Sequence, residues 1–204
     1  MISSEEYICL HCRLSLPITN FHKNDSNPLK QRLSSIDNLD QVYAYLKYTK
    51  GGIAQKMLHK LKYDGVEEVG YKLGLWMGYE ISEYVKDIHM IVPVPLHKQK
   101  LKTRGYNQCD SICEGLSESL EIPWNNEIIL RTKFNSTQTK KSKINRWLNV
   151  EQLFDVKHSE LIQDKNILIV DDVITTGATI ESLSSLANAS GVKSISIACI
   201  ATGQ

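Results

Sequence analysis

The sequence predicts an α/β fold: a doubly wound, mainly parallel sheet with helices on both faces. Three observations predict it. Short apolar runs, several of them β-branched, recur at Val42, Ile88, Asn166 and Ser194. Between them lie longer stretches whose apolar residues return at helical spacing. The runs at 88 and 166 show no polar alternation, as expected of strands covered on both faces. Strands that alternate with helices pack as a parallel sheet under helical layers.

Each element has its own signal. Residues 20–40 are polar and carry Pro28, so they read as a linker or extended arm. In "VYAYLKY", Val42, Ala44, Leu46 and Tyr48 fall on one face at a period of two, which predicts a strand. After Gly51-Gly52, Ile53, Met57, Leu58 and Leu61 mark a helix. After Gly65, Val66, Val69, Leu73, Met77 and Tyr84 mark a longer one. "IHMIVPVP" is a buried strand stopped by Pro93 and Pro95. Tyr106 to Leu120 is helical, with Cys109, Ile112, Cys113, Leu116 and Leu120 on one side. Glu127 to Leu130 is a short strand, and "NILIV" a buried one. Ala178 to Ser190 is a helix closed by Gly191, and "SISIACI" is the last strand.

Bulk properties narrow the function classes. With 204 residues, the chain suits one large domain or one domain with a small appendage. We place the division at 1–40 and 41–204. Apolar content of 42% and charged content of 23% are ordinary for a folded protein. The net charge of +1 gives no compositional reason to infer a nucleic-acid or membrane-surface protein. No apolar run is long enough to span a bilayer, and the start lacks a signal-peptide pattern, so the expected location is cytoplasmic. Five cysteines without a disulfide spacing are expected to be reduced.

The chemistry concentrates in "ILIVDDVITTGAT", Ile167 to Thr179. In a parallel sheet, ligands bind beyond the carboxyl ends of the strands. Asp171 and Asp172 follow Val170 there. Two adjacent carboxylates repel each other, and they are tolerable where they meet ligand hydroxyls, a cation or water. Thr175, Thr176 and Thr179 supply hydroxyls, and Gly177 lets backbone approach a ligand. The loop opens a helix, whose free amides and dipole favour a phosphate. The combination suits a ribose 5-phosphate. The plainer alternative is a polar turn with Thr176 as helix cap.

This stretch resembles the phosphoribosyl pyrophosphate (PRPP) signature of type I phosphoribosyltransferases. "LHKLKYDG" from Leu58, "VPVPLHKQKLKTRGYNQ" from Val92 and "TQTKKSKINRWLNVEQLFDV" from Thr137 make the chain similar to the ComF family within that group, over residues 42–204. The resemblance implies a glycosyltransferase that displaces pyrophosphate at the ribose anomeric carbon, with Mg²⁺ as cofactor and an acceptor that is not specified. It implies that Asp171 and Asp172 bind the ribose hydroxyls, with the metal held indirectly. It implies that Val173, Thr175, Thr176, Gly177, Ala178 and Thr179 cradle the 5-phosphate. Val94, Pro95, Leu96, His97 and Lys98 occupy the place of the pyrophosphate loop. Residues 136–146 occupy that of a mobile lid, with Lys140 and Arg146 as its catalytic cations and Arg104 as a further one. For any single lysine a solvated surface role is an equal alternative. For His97 a surface role competes with a pyrophosphate contact. Residues 20–63, including Lys62 and Tyr63, are candidates for the acceptor pocket.

Cys9 and Cys12 form "CLHC", one half of a four-cysteine zinc site. ComF relatives often carry the complete finger before the transferase domain, so the appendage resembles half a zinc finger. His11 and His22 are candidates to complete the ligand set of a zinc cofactor. Cys109, Cys113 and Cys199 read as core residues. A second reading comes from the competence role that the ComF name implies: a non-catalytic PRPP- or nucleotide-binding module. It would handle single-stranded DNA with competence proteins such as a DNA-uptake helicase, using the basic segments 98–104 and 140–146. A homo-oligomer is compatible with either reading.

Overall fold

The computed structural model describes residues 7–132 and 153–203. Four parallel strands form the central sheet, in the order β1 (Leu39–Lys47), β6 (Ser194–Thr202), β5 (Asn166–Ile174) and β2 (Met90–Pro93). Val, Ile and Ala dominate their buried positions, which suits a pleated surface packed on both sides. Along β5, Ile167 and Ile169 enter one core while Leu168 and Val170 enter the other. The fold class read from the sequence is therefore the one observed.

The first core lies under α2 (Pro28–Arg32) and α7 (Ala178–Ala189), with a separate antiparallel pair, β3 (Ile129–Arg131) and β4 (Phe154–Val156). The second lies under α3 (Ile53–Tyr63), α4 (Glu67–Ile81) and α6 (Gln108–Leu120). Two short helices, α1 (Leu10–Leu14) and α5 (Lys98–Arg104), lie outside these layers. Both sheet edges are covered, which keeps their free amides from pairing with another chain. Beside β2, Ile91 bridges Trp124 in parallel; beside β1, Ile18 bridges Leu46 in antiparallel fashion.

Helices α4 and α6 pack through glycines. A Cβ on Gly74 would stand 2.2 Å from the Ile112 carbonyl oxygen, and one on Gly115 would stand 2.1 Å from that of Tyr71. The two backbones touch where side chains would ordinarily separate them.

Three sequence expectations need correction, and one helix is not anticipated by the sequence. Residues 20–40 are not a free linker: Leu29, Leu33 and Ile36 are buried in the first core. The second long helix stops at Ile81, short of Tyr84. Residues 98–104 form a helix of their own, which the sequence hides because every residue in it is at least partly exposed. β5 also runs on to Ile174, so the two acids lie within the strand rather than behind it. No helix among the described residues is long and apolar enough to cross a membrane.

Candidate functional site

Strand lengths set the site. β2 ends with Pro93 opposite Val170, while β5 and β6 continue, pairing Asp171 with Cys199 and Ile174 with Thr202. The acids are therefore the first residues of β5 beyond the end of β2. Successive side chains on a strand point to opposite faces. That alternation sends the two carboxylates to opposite faces, although the charge of Asp172 still reaches Asp171.

On one face, the Asp171 carboxylate accepts the Asp172 N–H at 2.8 Å and the Cys109 thiol at 3.8 Å. Burial, then the neighbouring Asp172 charge, pushes its pKa up to about 7. Arg131 lies near enough for Asp171 to oppose the lowering of its pKa by burial, and it stacks 5.4 Å from the Phe154 ring. On the other face, Asp172 is buried, 4% exposed, with Lys62 Nζ 2.7 Å from its Oδ2. The sequence suggests an acceptor pocket for Lys62; its contact is with the acidic pair.

The loop follows at once. Asp171 and residues 173–180 line an open cleft. Thr175, Thr176 and Ala178 are exposed in it, and Thr179 is half-buried. Gly177 takes a positive φ of 91° at the start of α7, a conformation that favours glycine. No side chain caps α7, and the N-cap position belongs to Gly177 rather than Thr176. The cap reading of Thr176 is therefore set aside. First-turn amides without a side-chain cap can meet an anion from outside.

The N-terminal region reaches this loop, a contact that the sequence does not announce. Arg32 Nη1 donates to the Thr175 carbonyl at 2.7 Å, and both Nη1 and Nη2 donate to that of Gly203 at 3.3 Å. Leu33 packs where a Gly177 Cβ would lie, its Cδ2 only 2.5 Å away. Leu29, Leu33 and Ile36 recur at i, i+4 and i+7, a helical signal that the polar residues before Pro28 mask.

Next to the acids, the Val94 N–H is spent on the Val170 carbonyl at 2.8 Å. Val94, Pro95 and His97 are buried, Leu96 half-buried and Lys98 exposed. His97 is not a surface histidine: its Nδ1 accepts the Gln99 N–H at 3.2 Å and caps α5. α5 then carries Lys98, Lys100 and Lys102 outward. Arg104 donates to Gln108 Oε1 and lies 5.7 Å from the Tyr63 ring, which is 69% exposed. Its described contacts run to α3 and α6, not to the acids.

Lys140 and Arg146, with the rest of the expected lid, lie outside the described residues. At the N-terminus, Cys9 is exposed and its neighbour Cys12 half-buried; a hydrogen bond between their thiols helps to lower the Cys9 pKa, after the Cys12 backbone, and raises that of Cys12. His22 is buried elsewhere, its ring 4.9 Å from that of Tyr84 and its Nε2 3.6 Å from Glu80. Among the described residues, no group of three or more His, Cys, Asp or Glu side chains is placed to hold a metal ion. Cys109, Cys113 and Cys199 are buried core residues, as expected. For magnesium, the donor chemistry fits in a limited way. Asp171 is a hard oxygen donor at the cleft, whereas Asp172 is already paired with Lys62, so a metal there would depend on a ligand's own oxygens.

The phosphoribosyl transferase domain model matches residues 111–204. DNA utilization protein YhgH of Escherichia coli (strain K12) is 29% identical over 149 residues, covering 71% of this chain and 65% of the relative. Competence protein F of Haemophilus influenzae is 38% identical over 108 residues, covering 52% and 47%. Competence protein ComFC of Bacillus subtilis (strain 168) is 32% identical over 134 residues, covering 65% and 52%. The chain thus spans between about half and two thirds of the length of these curated relatives. Among solved structures, glutamine phosphoribosylpyrophosphate amidotransferase from B. subtilis is similar at a TM-score of 0.47 and 14% identity, over 69% of this chain and 30% of that one.

Proposed function

Starting from a chain that is a ComF-family, type I phosphoribosyltransferase-like protein, we propose that it binds PRPP with Mg²⁺ and displaces pyrophosphate from the ribose anomeric carbon onto an acceptor. One observation carries the reading: the acids extend past the end of β2 and lead directly into an open Thr-Thr-Gly turn on an uncapped helix N-terminus. Asp171 and Asp172 would hold the ribose hydroxyls, and residues 175–179 the 5-phosphate. Lys62 would balance the charge of the Asp172 carboxylate beside the ligand. Magnesium, when bound, would neutralise the pyrophosphate oxygens. Residues 94–98 and Arg104 would face the pyrophosphate side. Because Val94 donates its N–H within the sheet and Pro95 has none, the amides left for an anion begin at Leu96. Lys140 and Arg146 complete the proposed cations. Titration calorimetry with PRPP, with and without Mg²⁺, tests the proposal. The wild type should bind in a Mg²⁺-dependent way, and Asp171→Asn with Asp172→Asn should not. Absence of Mg²⁺-dependent binding by the wild type would refute it.

A second reading takes the names of the relatives, DNA utilization and competence proteins, as a guide to a role in handling single-stranded DNA with partner proteins. Exposed Tyr63, with Arg104 beside it and the α5 lysines nearby in sequence, supports that reading, since bases stack on aromatics and cations track phosphates. Binding of an oligothymidylate should weaken steeply between low and moderate salt. Salt-independent or absent binding removes this second reading and leaves the first untouched.

A further inference from the structure

We propose that Arg32 is a positioning residue for the phosphate loop, and that the segment around α2 is thereby part of the ligand site. The inference rests on the phosphoribosyl reading of that site. It begins with a fixed helix. Asn27, 1% exposed, accepts the Lys30 N–H at 2.9 Å and donates to the Val42 carbonyl at 3.0 Å, which pins the start of α2 to β1. Leu29 and Leu33 are sealed in the first core. The far end of α2 is therefore held in place, and Arg32 leaves it towards the loop.

There the guanidinium holds the Thr175 carbonyl at 2.7 Å and bridges it to Gly203. In a planar trans peptide, the carbonyl and the following amide point in opposite directions. Drawing the Thr175 oxygen towards Arg32 turns the Thr176 N–H away from it. Leu33 holds the next residue, Gly177, from the same side, and the Ser35 hydroxyl donates to Glu181 Oε1 at 3.0 Å in the first turn of α7. Three contacts from one segment thus fix the loop and the start of the helix. Among the described residues no ion pair includes Arg32; its guanidinium is spent on the Thr175 and Gly203 carbonyls.

The test separates the two ends of the ligand. Ribose 5-phosphate and magnesium pyrophosphate are titrated separately into wild type, Arg32→Ala and Arg32→Lys. Arg32→Ala should weaken ribose 5-phosphate binding about tenfold, the size of a charge-assisted contact, while pyrophosphate binding stays within about twofold. Arg32→Lys should recover part of the loss, because an ammonium keeps the charge but not the planar fork. Arg32 is exposed, and unchanged circular dichroism of the variants checks that they fold. If Arg32→Ala binds ribose 5-phosphate as the wild type does, or loses both ligands equally, the inference is overturned. If the wild type binds neither ligand, the phosphoribosyl reading fails and takes this inference with it.

Discussion

Lys62 and Asp172 are distant in sequence, yet their charged atoms stand 2.7 Å apart with the carboxylate almost fully enclosed. Asp172 would be costly to bury ionised without that ammonium. Lys62→Met should therefore lower stability by roughly 1–3 kcal/mol, between the ranges for exposed and fully buried pairs. Urea unfolding measures it, and in an Asp172→Asn background the same substitution should cost little. An equal cost in both backgrounds would show that Lys62 acts through packing alone. At this scale the site is only half legible in the sequence. "DDVITTGAT" can be read because its parts are covalent neighbours, and strand and helix geometry place them together. The partners of those residues, Lys62, Cys109 and Arg32, come from other elements, and no local pattern announces a contact made through the sheet.

At the scale of elements, the α4–α6 contact decides how closely the second layer fits. Gly74 is buried with the Ile112 carbonyl where its Cβ would be, and that neighbour is backbone, which cannot rotate away. Gly74→Ala gains helix propensity of up to about 1 kcal/mol but must push the helices apart. Overpacking of this kind costs roughly 1–3 kcal/mol, so the net effect should be a Tm lower by about 2–6 °C. A thermal melt that shows stabilisation instead would mean that the helices separate easily there. Elements are legible where an apolar period is long. α3, α4, α6 and α7 have one, and the four sheet strands are marked by β-branched apolar runs. α5 lacks it, since its seven residues present no buried side chain. α2 is only five residues long, holds just Leu29 of the apolar period that continues to Leu33 and Ile36, and lies behind a polar stretch, so its sequence resembles a linker. The end of β5 is hard to place because charged residues usually mark the end of a strand, whereas here they continue it beyond its shorter neighbour.

For the whole molecule, the site is a charge that the fold carries at a cost, and pH reveals it. Asp171 has a pKa near 3.9 in the unfolded chain and, through burial and the charge of Asp172, about 7 in the folded one. Below about pH 4 both states hold the proton and the group contributes nothing to the difference. As the pH rises from there to about 7, the unfolded chain releases its proton while the folded one keeps it, so stability falls; above about 7 the full cost is present. Asp171→Asn keeps the oxygen that accepts the Asp172 N–H and removes the titration. In chelator, without ligand, it should be more stable than the wild type at pH 8 by at least about 1 kcal/mol, a Tm higher by roughly 2–4 °C. The two curves should converge on approaching pH 4. Taking the difference between variant and wild type cancels the other titrating groups, which both proteins share. Curves that run parallel at every pH would mean that Asp171 is ionised in the fold without penalty. Convergence at low pH, together with loss of Mg²⁺-dependent PRPP binding in the same variant, would mean that the fold sacrifices stability to hold an acid that its ligand needs.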